Sequence, residues 1–362
     1  MNTSHLWQET PLVLSAPISR LLGANAFLKF ENVHPSQSYK FRGMSLFVHR
    51  SIEKYGKNAH FMIASGGNAG LAAACAANAA KAKCTVYLPE GAADSTVELL
   101  RGQNAQVIIT GRFYQEAVDA AKERAMTDEN AIMMSAYDHP WLWEGHSSMI
   151  SEISEQLKRW SCRGGGMLAG IIVGCQKAKW DHVPIVALGT LGSNSFHHSI
   201  LLNSSGSSEF ATKLPSYVTK VHDETSGLDL AHFNAFPSKA SGSLGASQPA
   251  VGTVQMALKR EGGVRCVSVP DELSMQSAVA FANDHKTLVE LACSTTLSVA
   301  YKPQLLDALI PPLFIVCGGF KINLDNMAEY EKEVEAQLER DPAGKWDIVC
   351  DDGRIVNIDY TV

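Results

Sequence analysis

Short apolar runs recur along this 362-residue chain, and helix-length stretches separate several of them. The runs fall at 26–30, 61–64, 85–88, 106–110, 132–135, 184–188, 266–269 and 313–317. Each has the length and the β-branched or aromatic content of a buried strand. Helices are predicted over 70–82, 95–104, 113–126, 147–159 and 271–283. Strands alternating with helices predict an α/β fold with mainly parallel sheets, whose ligands bind beyond the carboxyl ends of the strands. Two regions break the pattern. Residues 202–248, rich in Ser, Gly, Asn and Pro, predict a long surface excursion rather than core. The tail from 327 is helix-like and charged to 340. It then turns strand-like at 346–350 and 355–360 around Asp351-Asp352-Gly353, a hairpin pattern.

Composition narrows the class. Apolar residues make up 46%, enough to bury a core, and the formal charge is −6. The mild acidity carries no electrostatic footprint for nucleic acid or an anionic membrane, so neither is an expected partner. No apolar run approaches the length of a membrane span, and the start of the chain has no signal-peptide pattern. The eight cysteines are scattered at 75, 84, 162, 175, 266, 293, 317 and 350 without CxxC spacing. They read as thiols in a reducing, cytoplasmic compartment. HExxH, the Walker phosphate loop and the GxSxG elbow are absent, and His197-His198 lacks the further ligands a metal needs, so no metal site is expected. Gly164-Gly165-Gly166-Met167-Leu168-Ala169 formally fits a dinucleotide fingerprint. It lacks the preceding strand and the ribose-binding acid, and reads better as a phosphate cradle opening a helix.

Three further segments carry chemistry. Lys40 lies between Tyr39 and Phe41 after a Pro/Ser loop; an amine in an apolar pocket loses its proton more easily and becomes a nucleophile. Ser65-Gly66-Gly67-Asn68-Ala69-Gly70 follows a strand and opens an alanine-rich helix, a candidate carboxylate nest with Asn68 as donor. Ile315-Val316-Cys317-Gly318-Gly319 ends a strand in a thiol and two glycines. Together with the glycine loop, these are the parts needed to hold pyridoxal phosphate (PLP) and an amino acid.

The chain resembles the serine/threonine dehydratases among the tryptophan-synthase-β-like PLP enzymes, specifically the eukaryotic L-serine dehydratase branch. The resemblance runs from Thr10-Pro11-Leu12 to about residue 327. It rests on Leu28-Lys29-Phe30-Glu31-Asn32, Ser38-Tyr39-Lys40-Phe41-Arg42-Gly43, Ser65 to Gly70, Trp143-Glu144-Gly145-His146, Leu288-Val289-Glu290-Leu291-Ala292-Cys293 and Val316-Cys317-Gly318-Gly319. It implies PLP fold type II: two domains of open, twisted, mostly parallel sheets with helices on both faces, and PLP in the cleft between them. A small domain would span 40–146. A large domain would join 1–39 to 147–326, with 327–362 as a C-terminal extension.

The resemblance also implies residue roles. Lys40 would carry pyridoxal 5'-phosphate as a Schiff base and remove the Cα proton. Tyr39 would pack on the cofactor ring, and Asn68 would meet the ring hydroxyl. Ser65, Gly66, Asn68 and Ala69 would hold the substrate carboxylate. Gly164, Gly165 and Gly166 would bind the phosphate, and Cys317 would face the pyridine nitrogen. The implied activity is β-elimination from L-serine, L-threonine or a related β-hydroxy amino acid, giving a 2-oxo acid and ammonia, in a homodimer. Alternatives are β-replacement through the same aminoacrylate, and a non-catalytic relative with impaired PLP binding.

Four departures from the family pattern stand out. Arg163 replaces the first glycine of the phosphate loop. The segment between His146 and that loop is short and lacks an apolar strand. Gly189 stands where the family tends to carry a glutamate for a monovalent cation, which sets that cation site in question. Cys293 is followed by Ser294-Thr295-Thr296 instead of small apolar residues.

Overall fold

The computed structural model describes residues 6–158, 168–204, 214–305, 312–342, 344–350 and 353–360. Its strands are β1 (Leu12–Leu14), β2 (Phe27–Phe30), β3 (His60–Ala64), β4 (Lys83–Leu88), β5 (Gln106–Ile109), β6 (Ala131–Met133), β7 (Ile185–Thr190), β8 (Val218–Asp223), β9 (Leu228–Phe233), β10 (Val264–Val269), β11 (Leu313–Val316), β12 (Lys345–Val349) and β13 (Ile355–Asp359). The chain divides into two compact units. One holds the described part of Met1–Thr10 with Glu31–Glu152 and Gly318–Phe320. The other holds Pro11–Phe30, Ile153–Cys317 and the described part of Lys321–Val362.

The first unit is built on a parallel sheet in the order β5-β4-β3-β6. Side chains alternate across a strand, so one sheet can bury two faces. Phe61, Ile63, Val86 and Leu88 join one core with helices Lys40–Tyr55, Asn68–Ala79 and Asp94–Gly102. Met62, Ala64 and Tyr87 join a second core with helix Tyr114–Met126. Helix Asn68–Ala79 buries every residue from Ala69 to Ala77, which its run of small side chains permits.

A buried ion cluster sets the limits of this unit. Arg42 is fully buried, and each of its nitrogens is bonded. Its Nε and Nη2 donate to Glu31 at 2.6 and 2.9 Å, and its Nη1 and Nη2 donate to Glu152 at 2.6 and 2.7 Å. Ser148 and Thr10 accept from it as well, and Thr10 donates to Glu31 at 2.7 Å. Burial alone would raise the Glu31 carboxyl; hydrogen bonds from His34 and Arg42 and the Arg42 charge outweigh it and hold it well below the usual range. The cluster explains why the unit's limits differ from the predicted 40–146. Residues 31–39 and 147–152 carry or flank its members, and Thr10 draws in the first described residues.

Two glycines bring helix Pro140–Lys158 against helix Lys40–Tyr55. A Cβ on Gly145 would lie 2.6 Å from the Arg42 carbonyl oxygen and 2.7 Å from the Gly43 Cα. A Cβ on Gly43 would lie 2.5 Å from the His146 ring.

In the second unit, β11 pairs parallel with β2, and β1 adds antiparallel to β2's other side. A second sheet runs β13-β12-β10-β7, parallel between β10 and β7 and antiparallel outward from β10. The mixed α/β architecture with parallel sheets and helices is the predicted class; antiparallel β1 and the β12–β13 hairpin flank the parallel pairs of the second unit.

One sequence expectation is corrected. Residues 202–248 are not merely a surface excursion. β8 and β9 form an antiparallel hairpin, with Leu230 and Ala231 fully buried and Phe233 nearly so. Ser199 accepts from the Ala231 N–H, and Asn203 donates to the Asp229 carbonyl, seating β9 on helix Ser195–Asn203. The apolar runs here are short and set in polar sequence, so composition hid them. The described part of the C-terminal extension packs into the second unit. The predicted tail hairpin forms as β12 and β13, and Trp346, Ile348, Ile358 and Tyr360 share a core with Val267, Val269 and Leu273. Lys302 Nζ donates to the carbonyls of Asp359 and Tyr360. No helix among the described residues is long and apolar enough to cross a membrane.

Removing one partner of a buried ion cluster strands the others, so Arg42→Ala is expected to cost about 3–5 kcal/mol in urea unfolding. Acid acts on the same cluster. Glu31's carboxyl is depressed in the fold, so its contribution is full above about pH 4 and falls away as pH drops below that. Urea midpoints measured between neutral and acidic pH are expected to decline more steeply in the wild type than in Glu31→Gln.

Candidate active site

Lys40 is the first residue of its helix, after a loop in which Ser36 and Ser38 are buried. Its Nζ donates to the Ala136 carbonyl at 2.8 Å and lies 5.2 Å from the centroid of the Tyr39 ring. Burial pushes the amine down to about 8 from its ordinary value of 10.5. The positive end of the helix acts in the same direction, because it disfavours a cation. Both effects lower the pH at which this amine gives up its proton relative to an ordinary lysine.

The second loop, Ser65 to Gly67, joins β3 to helix Asn68–Ala79. A Cβ on Gly70 would lie 1.9 Å from the Ser65 carbonyl oxygen, so only glycine lets the first helical turn fold back on the loop. The leading N–H groups of a helix lack intrahelical acceptors and favour an anion. Ser65, Gly66 and Asn68 are half-buried at this end, and Ala69 is buried. The Asn68 Oδ1 accepts from the Phe320 N–H at 3.3 Å. That bond turns the Oδ1 end of the amide toward the Gly318–Phe320 segment.

The chain after Cys317 ties these loops together. Gly318 bridges to Ser38, and the Gly319 N–H donates to the Gln37 carbonyl at 2.8 Å. Gly318 has φ +80°, and a Cβ there would lie 2.3 Å from the Gln37 oxygen. The segment Gly318–Phe320 is thus held by the lysine loop at one end and by Asn68 at the other. Cys317 itself follows β11. A hydrogen bond with Cys293, burial and the Glu290 carboxylate all push its thiol well above the ordinary range, so it carries its proton. Arg163, Gly164, Gly165 and Gly166 lie outside the described residues, as does the segment that would replace the missing strand; helix Leu168–Lys177 begins just after them.

Sequence reasoning passed over His146 as a site residue, although it ends the quoted Trp143-Glu144-Gly145-His146. Its ring meets the Tyr39 ring edge-on at 4.9 Å. It is buried, and its Nδ1 has no hydrogen-bond partner. Burial and the Lys40 and Arg42 charges push its pKa well below the ordinary value, against the pull of Glu31, so the imidazole is neutral. The signal available in the sequence was the small residue before it, which lets the ring approach Lys40's helix.

The donor set fits pyridoxal phosphate. A dischargeable amine can bond its aldehyde carbon, an amide NH2 can meet its ring hydroxyl, and a protonated thiol suits its ring nitrogen. The orphaned His146 Nδ1 beside Tyr39 and Lys40 is a buried polar atom that a bound group can satisfy.

A buried lysine of lowered pKa, in one unit with an asparagine loop at a helix N-terminus, is the setting of a cofactor-dependent enzyme of amino-acid chemistry. The sequence profile of the pyridoxal-phosphate dependent enzymes matches residues 3–318, and the chain belongs to that family. It is 32% identical over 340 residues to the rat protein "Serine dehydratase-like", covering 90% of this chain and 94% of that one. It is 30% identical over 351 residues to the human "L-serine dehydratase/L-threonine deaminase", covering 92% and 97%. Among solved structures, a fungal L-serine ammonia-lyase from Rhizomucor miehei superposes with a TM-score of 0.75 at 26% identity. That match covers 91% of this chain and 99% of that one.

In cofactor-free protein, acylation of Lys40 followed by mass spectrometry is expected to rise with a midpoint near pH 8. Ordinary surface lysines rise near pH ~10.4. A Lys40 midpoint equal to theirs contradicts the burial argument.

Proposed function

We propose that the protein is an ammonia-lyase that eliminates the β-hydroxyl of L-serine, L-threonine or a related β-hydroxy amino acid, yielding a 2-oxo acid and ammonia. The observation that carries this reading is Lys40: a buried amine whose pKa is lowered to about 8, in one unit with the Asn68 loop and Gly318–Phe320. The names of the relatives support the substrate class.

Pyridoxal phosphate, when bound, supplies the electron sink that makes the Cα proton acidic. The chain supplies the rest. Lys40 is the residue that bonds the cofactor and, once released, its amine takes the proton from Cα. Its Ala136 contact and the face of Tyr39 orient the amine before reaction. Ser65, Gly66 and Ala69 hold the substrate carboxylate at the helix N-terminus, and the Asn68 NH2 donates to the ring hydroxyl. The Cys317 thiol serves the ring nitrogen without adding a counter-charge, and Gly164, Gly165 and Gly166 receive the phosphate. An uncharged Cys317 thiol would leave the ring nitrogen without a counter-charge, which would suit elimination of the β-hydroxyl. We further infer a homodimer, on the family resemblance, and a reducing cytoplasmic setting. The seven cysteines among the described residues, all free thiols, support the latter.

With L-serine as sole substrate, pyruvate and ammonia are expected in equal amounts, together with a yellow absorbance band from bound cofactor. Lys40→Ala is expected to lose the band and at least about a hundredfold in rate. A β-replacement enzyme gives no turnover without a second substrate. A protein that stays colourless with added cofactor refutes the lyase reading.

A further inference from the structure

The Lys40 amine has one partner of its own. Its Nζ donates to the Ala136 carbonyl at 2.8 Å, and among the described residues no other hydrogen-bond acceptor meets it. A backbone carbonyl can hold an amine in one place only if its own peptide group cannot turn. Ser135 and Trp143 see to that. The Tyr137 N–H, which shares a peptide group with the Ala136 carbonyl, donates to Ser135 Oγ at 3.4 Å, and the Asp138 N–H donates to the same oxygen at 2.9 Å. In a planar trans peptide the C=O and N–H point in opposite directions, so holding the N–H on Ser135 aims the carbonyl away from it. The next peptide group is held as well: Trp143 Nε1, on helix Pro140–Lys158, donates to the Tyr137 carbonyl at 3.0 Å. The stretch is fastened at both ends. The Met134 N–H donates to the Met62 carbonyl of β3 at 2.8 Å, and the His139 ring meets the ring of Phe47, on Lys40's own helix, edge-on at 4.9 Å.

We propose that Ser135 and Trp143 are positioning residues for Lys40: they pin two successive peptide groups, so that the Ala136 carbonyl stays aimed at the amine as its docking point. The proposal rests on the reading of Lys40 as the base. Both residues act through the backbone. The carbonyl serves the amine in each of its two states. A neutral amine that donates one N–H to a fixed acceptor has its lone pair held in a fixed direction. Once the lone pair has taken the Cα proton, the nitrogen is an ammonium with three N–H donors, and the carbonyl accepts one of them where little water is present.

The surroundings leave this role to the carbonyl. Burial is what lowers the amine to about 8, and no side-chain charge adds to it. The Tyr39 ring lies 5.2 Å from Nζ and carries no charge, and His146, the titratable neighbour on helix Pro140–Lys158, is neutral. A hydrogen bond to the charged form of a group favours that form, so the carbonyl works against burial and supports the ammonium.

The test is acylation of Lys40 in cofactor-free protein, followed from pH 6 to 11 by peptide mass spectrometry. Ser135→Ala and Trp143→Phe each free one peptide group. The ammonium then loses its fixed acceptor, and the midpoint is expected to fall by roughly half a pH unit or more. Ser135→Ala, which removes only a hydroxyl, carries the test if Trp143→Phe folds poorly. Ser135→Thr keeps the hydroxyl and is expected to restore the wild-type midpoint. A midpoint that rises toward ~10.4, the value of an ordinary lysine, means that the variants merely admit water, and it overturns the proposal. An unchanged midpoint in either variant overturns the assignment of that residue. In the loaded enzyme both variants are expected to lower kcat about tenfold with little change in KM for L-serine, because the amine acts after the substrate is bound. A raised KM at unchanged kcat counts against the proposal. Acylation is read without cofactor or turnover, so its outcome is separate from the absorbance band and the pyruvate on which the lyase reading stands or falls.

Discussion

A guanidinium cannot be buried alone, and Arg42 is buried completely two residues after the candidate catalytic lysine. Its charge is met by Glu31 and Glu152, carried by two other segments of the chain, and by the hydroxyls of Thr10 and Ser148. Taking these charges from water carries a large desolvation cost, which close paired geometry offsets only when every member is present. The helix that begins at Lys40 therefore has one acceptable position, and the geometry of the site follows from it.

That position also shapes the chemistry at the helix start. Lys40 sits at the positive end of its helix, deprived of water. Burial, with smaller contributions from the Lys40 and Arg42 charges, keeps His146 neutral. Bare backbone does the rest: Gly43 and Gly145 let two helices touch, Gly70 lets a helix fold back on its own loop, and Gly318 lets its segment lie against the lysine loop. A methyl group at any of these positions would meet backbone or a packed ring, so the site depends on absent side chains as much as on present ones.

Much of this was legible in the sequence where local chemistry was strong. The parallel strands of the smaller unit are short, apolar and well separated, and Lys40, Asn68 and Cys317 stand in segments whose neighbours announce their setting. The tail hairpin was legible because Asp351-Asp352-Gly353 punctuates it. What stayed hidden depended on distant partners. The Leu230-Ala231 core of β9 is too brief to stand out in polar surroundings. The role of Arg42 required Glu31 and Glu152 to be seen together. His146 gained meaning only when Tyr39 was found against it, and Trp143 only when its indole was found on the Tyr137 carbonyl.

The pairing of β2 with β11 joins residues near positions 28 and 314, and β10 is bordered by β12 from still later in the chain. During synthesis, β2 emerges just after β1 but long before β11. It leaves the ribosome with an unpaired edge that could recruit other chains. The smaller unit's four strands, all complete by residue 133, can assemble in the meantime. Biogenesis is therefore ordered by topology: the unit bearing Lys40 can form its sheet early, while the unit bearing Cys317 waits for the last strands, and holdase chaperones would find their clients in that interval.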